Sequence, residues 1–168
     1  MSVQRLKTAV ALCALLVAAV PAPAAAQDAQ ADLQELRDRA AIHDLLLAYG
    51  RTIDERDFDA FGALFTEDGE YAGNKGPAAI AAGMRETFAA NPLGFREPNF
   101  HVFFNETVDV EGLRASANSM SFYVVPDDVG GYRIALMAEY DDELVKVGGE
   151  WKFRRRAVRG LMPVRQGQ

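Results

Sequence analysis

Between residues 31 and 57, in ADLQELRDRAAIHDLLLAYGRTIDERD, apolar side chains recur at the spacing of one helix face: Ile42, Leu45, Leu46, Tyr49 and Ile53. The pattern predicts one long helix with a buried stripe. Asp57 stands where a carboxylate accepts from the free N–H groups of a second helix, whose buried face is Phe58, Phe61, Leu64 and Phe65. TEDG (66–69) predicts a turn, and EYA behind it a short strand. Gly76-Pro77 opens a third helix, with proline in the first turn where no N–H is needed. That helix runs through Ile80, Met84 and Phe88 and stops before Asn91-Pro92. The loop NPLGFREPN is nine residues long, enough for a lid or a pocket rim.

Beyond the loop the period changes to two. HVFFNETVDV, RASANSMSFYVV, YRIALMAEYDDELVKV and EWKFRRRAV read as four strands. Glu111-Gly112, PDDVGG and Gly148-Gly149 are credible hairpin turns between them. Helices first and an antiparallel meander after them predict an α+β domain, with the helices packed on one face of a curved sheet.

The first residues lie outside this pattern. Arg5 and Lys7 precede the apolar run TAVALCALLVAAV (8–20), and PAPAAAQ follows with small residues at Ala24 and Ala26. This reads as a secretory signal peptide, 1–26, cleaved after Ala26. The run is too short for a membrane-spanning helix of about 20 residues. Leu12 stands before Cys13 where a lipoprotein signal has a small residue. Cleavage would remove the single Cys and leave an exported, periplasmic or secreted chain with no disulfide and no stable membrane anchor. The predicted domain is 27–160, with a tail at 161–168. Of 18 basic residues, losing Arg5 and Lys7 leaves 16 against 24 acidic ones, so the net charge moves from −6 to −8. An acidic chain of this kind is a poor partner for nucleic acid or anionic lipid.

Candidate chemistry is sparse. No phosphate loop, Cys/His metal set, nucleophile elbow or dinucleotide fingerprint occurs, so neither a cofactor nor a metal is expected. Of the two histidines, His43 lies 11 residues before Asp54 on the same helix, about 16 Å along the axis, and cannot bond it. His101 begins the strand NFHVFFNETV. Alternation puts His101, Phe103 and Asn105 on one face and Val102 and Phe104 on the other. A His among such rings is either a satisfied core residue or a pocket residue. Asp54 falls roughly 120° from the centre of the helix stripe, on its shoulder, with Arg51 pointing away. That angle fits an inward carboxylate, a solvated one, or a helix-end role. The acids of EYDDE (139–143) find partners in the arginines of KFRRRAVR on the neighbouring strand, a paired or solvated face.

Taken together, AIHDLLLAYGRTIDERDFDAFGALFTEDGEY, KGPAAIAAGMRETF, HVFFNETVDV and GGEWKFRRRAV resemble the SnoaL-like branch of the nuclear transport factor 2-like superfamily, over residues 33–158. The likeness is to the side of that branch that holds the scytalone dehydratases and hexachlorocyclohexane dehydrochlorinases. It implies a cone-shaped α+β barrel, three N-terminal helices on a strongly curved, mainly antiparallel sheet enclosing an apolar cavity. It also implies an Asp–His pair inside the cone, here Asp54 of TID and His101 of NFH. Tyr71 falls near a cavity tyrosine of the dehydratases, Lys146 is a loose match to a basic residue of the dehydrochlorinases, and a second dehydratase His has no counterpart. A homodimer or higher homo-oligomer paired through the outer sheet face is implied as well.

The reading that joins these parts is cofactor-independent proton transfer on a small hydrophobic molecule: elimination or dehydration, isomerisation or hydrolysis. His101 would act as base or acid, since an imidazole titrates near neutral pH. Asp54 would hold its tautomer. Tyr49 or Tyr71 would donate to a developing oxyanion. Met84, Phe88, Phe103, Asn105 and Met120 would line the ligand. The alternatives are a non-catalytic binder of a small ligand, or a structural dimer module.

Overall fold

The computed structural model describes residues 24–91 and 95–162. Two helices come first, α1 (Ala24–Asp54) and α2 (Phe58–Ala63). Two short strands, β1 (Phe65–Tyr71) and β2 (Asn74–Lys75), precede α3 (Pro77–Ala90). Four long strands complete the chain: β3 (Phe100–Glu111), β4 (Arg114–Pro126), β5 (Tyr132–Val147) and β6 (Glu150–Gly160). The expected signal segment lies outside the described residues except for Ala24 to Ala26, which are helical. Residues 163–168 of the expected tail also lie outside them.

The sheet order is β2-β1-β6-β5-β4-β3. β3 to β6 form the antiparallel meander that the period-two pattern predicts. β1 lies parallel to β6, so the sheet is mixed, and it stays open rather than closing into a barrel. The fold is α+β, with the helices on one face. Register shifts fall between Phe104 and Thr107, Tyr123 and Val124, and Glu143 and Leu144. Each such irregularity bends a strand. The bending lets the sheet wrap α1, which touches both β3 at the edge and β6 three strands away.

Three local expectations need correction. TEDG lies inside β1 rather than forming a turn, because the strand pairs β6 at Phe65 and again at Glu70 with an irregular stretch between. The long helix ends at Asp54, not Asp57, and Asp57 caps α2 through Ala60 N at 3.0 Å. The alternation of β3 fails at Asn105, which has a φ of +53° in the bulge and points to solvent.

The core forms where α1 meets the inner sheet face. Ile42, Leu45, Leu46, Tyr49 and Ile53 are all buried, as their spacing predicts. Phe61, Phe65, Ile80, Met84, Leu144, Trp151 and Phe153 close around them. At one end of this core Asp38 accepts from Trp151 Nε1 at 2.8 Å, from Gln34 Nε2 at 3.1 Å and from Lys146 Nζ. Lys146 therefore belongs to the structural tie between α1 and the last hairpin.

Candidate functional site

Asp54 is the last residue of α1, and the way the helix stops aims its side chain. Arg56 N bonds Ile53 O at 3.1 Å and Asp57 N bonds Thr52 O at 2.9 Å. These two bonds make a Schellman termination, with Arg56 at a φ of 60° where glycine is usual. The left-handed backbone costs Arg56 about 1–2 kcal/mol. Its guanidinium offsets this by donating to Ile53 O at 2.8 Å, Phe95 O at 2.8 Å and Asn99 Oδ1 at 2.6 Å, and it lies 4.4 Å over the Phe88 ring.

Asp54 then receives three hydrogen bonds. Asn99 Nδ2 donates to Oδ1 at 2.8 Å, and the His101 backbone N–H donates to Oδ2 at 2.9 Å. The third joins His101 Nδ1 and Asp54 Oδ1 at 2.8 Å. An ionised carboxylate only accepts, so Nδ1 carries the proton of this bond, and in the neutral ring Nε2 is then the free acceptor. The two side chains are 17% and 8% exposed, Asp54 and His101 respectively. Gly50, one turn before Asp54, permits this approach. A Cβ there would lie 2.9 Å from Phe103 Cε2 and 3.1 Å from His101 Cβ.

His101 sits among rings. Tyr49 meets it edge-on with centroids 6.4 Å apart, Phe103 stacks at 6.1 Å, and Tyr123 lies at 4.8 Å. Tyr49 and Tyr71 share a 2.7 Å hydrogen bond between their hydroxyls. Burial first, and neighbouring phenols second, push Tyr49 well above the ordinary phenol value. Burial likewise raises Tyr71, so both stay protonated at neutral pH.

The expected site residues therefore separate into groups. Asp54, His101, Tyr49, Tyr71 and Phe103 lie together in one packed cluster of the interior. Met84 is buried in the core beside Ile80. Phe88 stacks on Phe95 at 4.1 Å and reaches the site through Arg56. Asn105 and Met120 are not in it. Asn105 is turned out by the bulge, and its amide reaches Met120 Sδ at 3.7 Å. Met120 pairs with Phe104 on the outer face, because the inward residues of β4 are the odd ones from Ala117 to Val125. His43 is an exposed partner of Glu106 at 2.8 Å, away from Asp54.

Several polar residues of the interior escaped the sequence reading. Asn99 and Arg56 buttress Asp54. Tyr123 is 4% exposed, with its hydroxyl buried and the Arg56 guanidinium beside it. Deeper in, Asp142 and Arg156 are fully buried in ion-pair contact at 3.3 Å, which is the pairing of EYDDE with the arginine strand that the sequence predicts, here turned inward. Arg156 lies 4.0 Å over both Tyr49 and Tyr140 and 4.8 Å over Phe153. Its three guanidinium nitrogens, both Asp142 oxygens and Ser119 Oγ lack directed hydrogen bonds. Burial pushes the Asp142 carboxyl up to about 6, against the pull of Arg156. The interior is thus aromatic and polar together. The signal for the ion pair lay in the alternation of EYDDE, which puts Tyr140, Asp142 and Leu144 on one face.

A hollow of about 550 Å³ opens where the β1–β2 hairpin meets β6. Tyr71 and Arg156 reach it, together with Glu70, Lys75, Arg155 and Val158, whereas Asp54 and His101 do not line it. Among the described residues no three or more His, Cys, Asp or Glu side chains gather as a metal site. No described helix is long and apolar enough to cross a membrane.

The model of the SnoaL-like domain family matches residues 34–157. No curated protein matches the chain. Among solved structures, the chain is similar to an NTF2-like protein with a cystatin-like fold from Novosphingobium aromaticivorans. That likeness has 28% identity, covers 83% of this chain and 92% of the other, and has a TM-score of 0.71. A proposed scytalone dehydratase from the same organism is 26% identical over 76% of this chain and 87% of its own, with a TM-score of 0.62. The hexachlorocyclohexane dehydrochlorinase LinA-type3 from Novosphingobium barchaimii shares the fold at 20% identity, covering 78% and 91%, with a TM-score of 0.64.

Proposed function

The chain belongs to the SnoaL-like domain family, and on that premise we propose that it is a cofactor-independent enzyme of lyase or isomerase type. His101 moves a proton on a small, mostly hydrophobic molecule, and Asp54 orients the imidazole and stabilises its cationic form. The observation that carries this reading is the double hydrogen bond from His101 to Asp54, which leaves Nε2 as an acceptor among aromatic rings. A carboxylate in that position fixes the tautomer a general base needs. The dehydratase in the name of one relative, 26% identical, is an enzyme that removes water, and this favours elimination over the other outcomes. Tyr49 and Tyr71, paired to each other, form a hydrogen-bonded wall of the same interior.

Native mass spectrometry of the purified protein, to find co-purifying small molecules, is the first step of the test. Each molecule found is then incubated in D2O with wild type, His101→Ala and Asp54→Asn. Wild type should exchange a C–H proton or form product, and both variants should lose about 10²–10⁴-fold in rate. Folded variants with full turnover would refute the role.

We further propose that the protein is exported and works as a homodimer. The basic, then apolar, then small-residue order of residues 1–26 supports export, and Gln27 as the first residue of the recovered protein would be its check. The outer sheet face supports self-association. Phe100, Val102 and Ile134 are each more than 40% exposed there, beside the Phe104–Phe122 ring pair at 4.7 Å.

A further inference from the structure

We propose that the outward side of α1 is a second contact between copies of this chain, a parallel two-stranded coil in which α1 packs against α1. Besides its buried stripe, α1 carries a second apolar line. Ala29, Leu33, Leu36, Ala40, His43 and Leu47 follow one another in alternating steps of four and three. That is the seven-residue repeat of a coiled-coil seam, held over about three heptads. All six residues are exposed, with Leu33 at 42%, Leu36 at 64% and Leu47 at 44%. The seam lies roughly 150° around the helix from the stripe of Ile42, Leu46 and Ile53, so it faces away from the sheet. The pairing is independent of the chemistry at His101.

Length and charge together point to a second α1 as the cover. Residues 24–37 are exposed from end to end, about 21 Å of helix at 1.5 Å per residue. A lone helix of that length is marginal in water and holds best when one face is packed. In a parallel coil the residue before one seam position meets the residue five further along in the other helix. Asp32 of one copy then meets Arg37 of the second copy, and two-fold symmetry repeats the pair. Both side chains are exposed. Arg39, in the next flanking position, takes no part, because Glu35 holds it at 2.7 Å and it donates to Val108 O.

The contact is weak by its composition. Two of the six seam positions are alanine, and His43 is turned to Glu106 at 2.8 Å. Half-dissociation at roughly 100 µM fits so short and so thinly leucine-lined a seam. The outer sheet face lies across the sheet from α1, so one copy can use both contacts at once. Two self-complementary contacts on opposite sides join dimers into a tetramer or a longer chain as concentration rises.

Sedimentation equilibrium of the chain from Gln27, with Val102→Lys to remove the outer-face contact, tests this. That protein should be monomeric at about 10 µM and mostly dimeric at about 500 µM. Adding Leu36→Glu should raise the dissociation constant about tenfold or more. Its melting temperature at about 10 µM should not change, because Leu36 is exposed in the single copy. Adding Arg37→Glu instead should weaken pairing about threefold. Asp32→Lys beside Arg37→Glu should restore it, since the facing charges are then exchanged. A monomer at both concentrations, pairing that survives Leu36→Glu, or an exchanged pair that restores nothing would each overturn the inference. A dimer at about 10 µM that only Leu36→Glu dissolves would place the main contact at α1 and refute the outer-face dimer instead.

Discussion

Arg56 grips Asn99, and Asn99 in turn grips Asp54, through bonds of 2.6 and 2.8 Å. The chain of donors runs Arg56 to Asn99 to Asp54, and His101 approaches the same carboxylate from the sheet. Asn99→Ala breaks both of its bonds and frees Asp54 to rotate. We expect a tenfold or greater fall in kcat with a smaller change in KM, because orientation of the base is what is lost. Nitrogen NMR of His101 should change from a single Nδ1–H tautomer to a mixture. An unchanged tautomer would mean that Asn99 has no positioning role.

Gly50→Ala sets two effects against each other. Alanine improves the helix by about 1 kcal/mol. Its methyl, however, meets Phe103 at 2.9 Å and the His101 Cβ at 3.1 Å. Forced shifts in a packed interior cost about 1–3 kcal/mol, and the His101 Cβ is fixed to β3, so the clash should win. A lower melting temperature together with reduced activity is expected. A stabilised, fully active Gly50→Ala would show that α1 can move off β3 without harm.

Asp142 and Arg156 should leave a mark on stability against pH. Burial raises the folded Asp142 carboxyl to about 6, from 3.8. Between those values the native state holds a proton that the unfolded chain has released. Stability therefore falls as pH rises from about 4 to 6, by on the order of 3 kcal/mol, and levels off above. Asp38 works the other way. Burial alone would raise it, but bonds from Lys146, Trp151 and Gln34 hold it low, so its contribution is lost as pH falls below 3.8. Urea midpoints across pH 3 to 8 should show the decline in wild type and not in Asp142→Asn.

Removing Arg156 alone leaves a buried carboxylate without its cation. Arg156→Met should cost about 3–5 kcal/mol at pH 7, and Asp142→Leu with Arg156→Met should recover most of it. Equilibrium unfolding of the single and double variants would measure this. A double variant as unstable as the single would mean that packing against Tyr49 and Tyr140, rather than charge, accounts for the loss.

The outer face has its own check. Val102 is 44% exposed in the isolated chain and central to the apolar outer surface of β3 and β4. Val102→Lys should shift sedimentation from dimer to monomer and leave the inner site unchanged. An unaltered sedimentation coefficient would place any contact between copies elsewhere.

The sequence by itself determined the elements and the buried stripe. Helical spacing identified Ile42 through Ile53, and strict alternation identified β4 and β5, because those periods follow from backbone geometry. The likeness of TID and NFH to a known family paired Asp54 with His101, residues 47 apart that no local pattern connects. Only the tertiary structure decided what surrounds them. Asn99 and Arg56 matter because a Schellman turn and a loop meet in space. Asn105 and Met120 leave the site because a single bulge and strand parity reverse their direction. Tyr123 and Arg156 acquire their character from burial, and burial is a property of packed neighbours that a linear pattern does not carry. TEDG reads as a turn locally, yet Phe65 before it and Glu70 after it both pair with β6, so it becomes an irregular stretch inside β1.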